Sequence, residues 1–194
     1  MTTLPAFCTP VPLDKAYRLL NHGPTVLVSS SHAGEHNVMA AAWSMPLDFS
    51  PPKVTVVIDK ATHTRALMEG SGWFALNVPA RGLAQATLGV GSDSAASAPD
   101  KLQRHGIQLF QPEGCDVPLV QDCVGWLLCK LVPEPHNQQT YDLFIGEVTQ
   151  AWADARVFVN GHWEFDKAPD DLRTLHYVAG GQFFVIGDSL KLKA

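Results

Sequence analysis

The sequence predicts a mostly β protein with short helices, its strands forming a closed or nearly closed antiparallel barrel. Three observations carry this. Short β-branched and aromatic runs recur along the chain, each bounded by turn residues. The 15 Gly and 14 Pro are many for a helical bundle and natural for strands joined by turns. Long helical periodicity is scarce, and closing the sheet removes exposed edges.

In chain order, Asp14 to Asn21 has helical spacing through Leu13, Ala16, Tyr17 and Leu20, and stops at Asn21-His22-Gly23-Pro24. Thr25–Ser31 reads as a strand, His32–His36 as a hairpin turn, and Val38–Met45 as a small-residue strand ending near Pro46. After Pro51-Pro52, Val54–Ile58 is a buried strand. Thr62–Glu69 is a threonine-capped helix closed by Gly70-Ser71-Gly72, and Trp73–Val78 a strand ending at Pro79. Between about 82 and 105 lies an excursion of two short helices around Gly91–Ser94. Strands resume at Val124–Leu131, Leu143–Thr149 and Arg156–Val159, and Asn160-Gly161 is a type I′ hairpin turn. His176-Tyr177, a Gly180-Gly181 break and Phe183–Ile186 close the chain, which reads as one domain over residues 1–194.

Hydrophobic residues make up 46% and charged residues 17%, and the net charge is −5 with no basic run. That argues against a nucleic-acid partner, which needs a cationic stripe to neutralise phosphates. No segment approaches the ~20 apolar residues of a membrane span, and Met1–Phe7 has no leader pattern. With four cysteines and no Cys-x-x-Cys, the expectation is a cytoplasmic protein with free thiols. Cys129 belongs to an apolar strand, whereas Cys115 sits in a turn-rich stretch that allows exposure. His32 and His36 are four apart, but Gly34 puts them in a turn and no further ligand stands at metal spacing; no metal is expected.

Three segments between 36 and 79 bear on chemistry. In Asn37-Val38-Met39-Ala40-Ala41-Ala42-Trp43, consecutive alanines let a flat ring approach the backbone; on physical grounds alone, plain core packing is the favoured explanation. Asp59-Lys60-Ala61-Thr62-His63-Thr64-Arg65 places hydroxyls and cations at a helix start, where unpaired amides favour an anion. An ordinary capped helix is the plainer alternative. Ala75-Leu76-Asn77-Val78-Pro79 ends a strand on a polar residue.

In this order and spacing the three segments resemble the flavin reductase-like family, to which flavoredoxin belongs. Gly91-Ser92 followed by Asp100-Lys101-Leu102, and His176-Tyr177 with Gly180-Gly181, extend the resemblance from about Val11 to Gly187. It implies a split β-barrel of Greek-key, FMN-binding type, usually a homodimer. By position, Asn37, Met39, Ala40 and Ala41 would lie along the isoalloxazine, with Trp43 nearby. Lys60, Thr62, His63 and Thr64 would hold the phosphate, Asn77 and Val78 would border the ring or ribityl chain, and Lys101 would reach it from the excursion. Ala40 departs from the Thr or Ser of many relatives, and the 91–99 stretch is longer than the usual element.

The resemblance implies a flavoprotein oxidoreductase: an NAD(P)H-dependent flavin reductase in which NADH or NADPH docks transiently. Alternatives are a flavoredoxin-like carrier that exchanges electrons with a partner protein, and a non-catalytic FMN-binding module. No Gly-x-Gly-x-x-Gly follows a strand, so no dinucleotide fingerprint is present. No catalytic acid or base is assigned, because a flavin carries the redox chemistry itself.

Overall fold

Alternating side chains along the strands explain how this chain builds its sheet. The computed structural model describes residues 4–192; Met1–Thr3, at the start of the segment read above for a leader, and the last two residues lie outside that range. A short strand β1 (Cys8–Pro10) and a 3-10 helix over Leu13–Leu19 precede the hairpin of β2 (Val26–His32) and β3 (Glu35–Ala41). Its turn is Ala33-Gly34, both at positive φ, a conformation glycine adopts without strain. Strands β4 (Ser44–Phe49) and β5 (Pro52–Val57) form a second hairpin. The expected single strand Val38–Met45 is therefore broken at Ala42-Trp43, where the chain leaves one edge of the sheet and enters the other.

Helix α1 (His63–Ser71) begins after Thr62, ends on Gly72 in the left-handed region, and leads into β6 (Trp73–Val78). A 3-10 turn at Arg81–Leu83, α2 (Ala84–Ser92) and α3 (Lys101–Arg104) make up the excursion. Then come β7 (Leu109–Phe110), β8 (Leu119–Val120), β9 (Gly125–Val132), α4 (Pro135–Tyr141) and the 12-residue β10 (Leu143–Asp154). Hairpins β11 (Phe158–Val159) with β12 (His162–Trp163), turning at Asn160-Gly161, and β13 (Leu175–Ala179) with β14 (Gln182–Val185), turning at Gly180-Gly181, complete the chain.

The main sheet runs β3-β2-β6-β9-β10-β5-β4, and β1 pairs the far half of β10 past a bulge between Val148 and Gln150. All pairings are antiparallel. The fold is mostly β with short helices, as expected, but its strands do not close into a continuous ring: β3 and β4 are free edges among the described residues. The two faces bury different sets, as a period of two requires. Val26, Val28, Phe74, Leu76, Leu127 and Cys129 point into one core, while Leu27, Ala75, Trp126 and Leu128 point into a second, under the excursion and the β7–β8 hairpin. Gly146 is needed in the first core, because a Cβ there would lie 2.4 Å from the Phe74 ring. Cys115 is buried rather than exposed; its thiol donates to the Val117 carbonyl at 3.1 Å, and burial raises its pKa.

Candidate functional site

Where the two sheet edges diverge, a cleft of about 760 Å³ opens. Strand β3 contributes Met39, Ala40 and Ala41, and the joint to β4 contributes Ala42 and Trp43. Helix α2 supplies Thr87, Leu88, Gly91 and Ser92; the β13–β14 hairpin supplies Tyr177 and Phe183; the end of α4 supplies Tyr141 and Asp142. The small residues have a local cause. A Cβ at Gly91 would come within 3.0 Å of the Ala40 Cβ, so α2 approaches β3 this closely only because both side chains are minimal. As an edge strand, β3 also keeps backbone groups that no neighbouring strand pairs.

Thr87 was not anticipated from the sequence. It is fully buried, lines the cleft, and its hydroxyl has no hydrogen-bond partner among the described residues. A buried polar atom without a partner is costly, and this one belongs to a residue that lines the cleft while being itself sealed from solvent, a place where a ligand's polar edge would relieve the cost. The side-chain oxygen of Asn37 is in the same condition, while its amide nitrogen donates to the Thr64 hydroxyl at 2.8 Å. This bond ties the start of α1 to β3.

The chain before α1 folds on itself. The Asp59 carboxylate accepts from the Ala61 N–H at 2.7 Å, and the Asp59 carbonyl accepts from the Thr62 hydroxyl at 2.8 Å. Thr62 is thereby used up at the N-cap position without bonding the helix, and no side chain caps the first N–H groups of α1. Those amides and the helix dipole leave partial positive charge at this end. His63 lies 3.5 Å from Glu35, and Lys60 is exposed. Asn37, Lys60, Thr62, His63 and Thr64 thus form one neighbourhood around the start of α1. Met39, Ala40, Ala41 and Trp43 line the cleft, and Asp59 belongs to both places.

Arg65 is fully committed beneath this start. It donates to Glu69, Asp142 and the carbonyls of Ile58 and Gln138, and its guanidinium sits 5.0 Å from the Phe144 ring centroid. Burial opposes its charge, but the bonds to Asp142 and Glu69 together raise its pKa.

Three expected residues reach neither the cleft nor the start of α1. Asn77 is wholly buried and satisfied: its amide nitrogen donates to the Leu27 carbonyl and the Ser29 hydroxyl, and its oxygen accepts from the Val120 N–H. It fastens β2, β6 and β8 together, which leaves nothing for a ligand edge. Val78 points into the first core. Lys101 is buried behind α2, donating to the carbonyls of Val90 and Asp93 at 3.1 and 3.0 Å, where it satisfies the helix C-terminus. Burial lowers its pKa, partly countered by Asp93.

Comparison with known proteins places this geometry in context. The Flavin reductase like domain model matches residues 18–176. A crystal structure described as the FMN-binding domain of a flavin reductases-like enzyme from Shewanella baltica OS155 superimposes with a TM-score of 0.95. It is 56% identical, covering 96% of this chain and 97% of that one. The uncharacterized Escherichia coli K12 protein YddH is 45% identical over 181 residues, 92% of this chain and 94% of its own. Flavoredoxin of Desulfovibrio vulgaris (Miyazaki F) shares the fold, with a TM-score of 0.72 at 24% identity over 88% of this chain and 90% of that one. The family match covers most of the described strands and the whole of α1 and α2, so the split-barrel architecture is a family feature. This chain belongs to the flavin reductase-like domain family.

Proposed function

We propose that the protein is a flavoprotein that binds FMN, with the ring in the cleft and the phosphate at the start of α1. The observation that carries this is their adjacency: an uncapped helix start, suited to an anion, shares Asp59 with a cleft lined by Thr87, whose buried hydroxyl is unbonded. In this reading Met39, Ala40 and Ala41 present backbone groups to the ring, Thr87 adds a hydroxyl, and Trp43 covers an outer face. Lys60, Thr62 and His63 sit beside the phosphate, while Thr64 and Asn37 position the helix start. The 56% identical Shewanella baltica domain, described as FMN-binding, supports the same ligand. Bound there, the flavin supplies hydride and single-electron chemistry; the chain's own residues bind it, orient it and leave one side open to a second reactant.

The activity we infer is an oxidoreductase that takes hydride from NADH or NADPH and passes electrons to an acceptor. An electron carrier that meets a partner protein is the second reading. It is favoured by the exposed apolar residues Trp43, at the cleft, and Met45, Leu47 and Phe49, on the strand that follows it. Met45, Leu47 and Phe49 are the surface we assign to a second copy in a homodimer.

Purified protein titrated with FMN and with riboflavin tests the site: binding with a perturbed flavin spectrum and a clear preference for FMN is expected. Failure to bind FMN at micromolar concentration overturns the reading. Anaerobic stopped-flow mixing with NADH and NADPH then separates the activities. Fast bleaching marks a reductase, and inertness marks a carrier or a binding module.

A further inference from the structure

We propose that the position left open over the flavin selects a planar ring with no negative charge on the ring or its direct substituents, as in a nicotinamide, and that Asp59 is the residue that rejects a ring-borne anion. This rests on the FMN reading above. The charged side chains that line the cleft, among the described residues, are both acids, Asp59 and Asp142. Their surroundings differ. Asp142 is paired with Arg65, which also donates to Glu69 and two carbonyls. Asp59 forms no ion pair among the described residues; its carboxylate accepts only the Ala61 N–H and stays exposed.

No other cation near the cleft is free to offset it. Lys101 is sealed behind α2 on two carbonyls. Lys60 is given to the flavin phosphate, whose own charge makes the occupied site more negative. The remaining walls are aromatic: Trp43, Tyr141 and Tyr177 are all exposed on the cleft and offer faces to a flat ring. A ring compound therefore meets favourable stacking and one unmatched carboxylate. An anionic substituent is disfavoured by direct repulsion, by about three- to tenfold at the distances and dielectric of a half-open cleft.

The test uses FMN-loaded protein and three probes that share one ring: 4-acetylbenzamide, 4-acetylbenzoate and 4-acetyl-N,N,N-trimethylanilinium, each titrated by its perturbation of the flavin absorbance. The neutral and cationic probes should bind at least threefold tighter than the carboxylate. That gap should shrink as ionic strength rises from about 0.02 to 0.5 M. In Asp59→Asn, whose amide oxygen still accepts from Ala61, the carboxylate should come within twofold of the isosteric amide, both read on the variant at saturating FMN. Equal affinities in the unaltered protein, a gap that persists in Asp59→Asn, or no perturbation by any probe would each overturn the proposal. A protein that fails to bind FMN instead refutes the cofactor reading, and this proposal falls with it. FMN binding with no charge preference refutes only the role of Asp59.

Discussion

The unbonded Thr87 hydroxyl separates function from stability at a single residue. Burying it without a partner costs about 1–3 kcal/mol, so Thr87→Val should leave the fold as stable or slightly more so. The same change removes a donor from the cleft, and FMN affinity should fall about three- to tenfold. Isothermal titration beside a thermal melt checks both halves; unchanged affinity sinks the assignment. Nothing local in Ala84–Ser92 marks Thr87 in the sequence, because its importance lies in what β3 and the β13–β14 hairpin place around it. Asn77 teaches the converse. A polar residue at a strand end looks ready for a ligand, yet its shortest bonds go to β2, its neighbour strand, and to Val120, 43 residues away.

At the scale of elements, α1 is clamped from two sides: by Asn37 at its first turn, and by Arg65 reaching the end of α4. Thr64→Ala leaves the buried Asn37 amide without its acceptor and should cost about 1–3 kcal/mol in urea unfolding. Thr64→Ser, which keeps the hydroxyl, should recover most of that; equal losses would show that the bond contributes nothing. The start of α1 was legible because threonine spacing and a glycine stop are local signals, as were the hairpin turns at Ala33-Gly34 and Asn160-Gly161. Helix α4 was not, because Pro-His-Asn-Gln-Gln-Thr-Tyr has no apolar face and buries no residue. The break at Ala42 was equally hidden, since an alanine run fits a continuous strand as well as an interrupted one.

A half-buried histidine at the junction of the N-terminal segment and the last hairpins contributes to how the whole molecule responds to acid. His22 packs against Trp163, Phe165 and His176, and bonds the Thr174 hydroxyl. Burial, and then the charge of His176, push its pKa down from about 6.5 to about 4. Between those values the unfolded chain binds the proton and the folded protein does not. Stability is therefore highest above about pH 6.5 and falls as pH drops towards 4, by at most about 3 kcal/mol. Urea midpoints at pH 7 and 4.5 should show this slope, and His22→Gln should flatten it; an unchanged slope would assign the acid sensitivity elsewhere. The open sheet has its own consequence. Strand β4 carries Met45, Leu47 and Phe49 exposed by 57, 49 and 66% along a free edge, a surface that invites a partner. If that partner is a second copy, Met45→Lys with Leu47→Lys should weaken self-association at least tenfold in sedimentation velocity while the circular dichroism stays unchanged. A monomeric parent protein would rule the interface out.

The joint at Ala42-Trp43 also gives the protein a built-in optical reporter. Of its five tryptophans, Trp126 and Trp152 are buried, Trp73 and Trp163 are partly covered, and Trp43, 74% exposed at the cleft, alone faces water. Its emission should form the red edge of the fluorescence spectrum and be the component that acrylamide quenches first. A yellow chromophore seated beside that indole would extinguish this red component by energy transfer, so occupancy of the cleft becomes readable from the protein's own light, without a label.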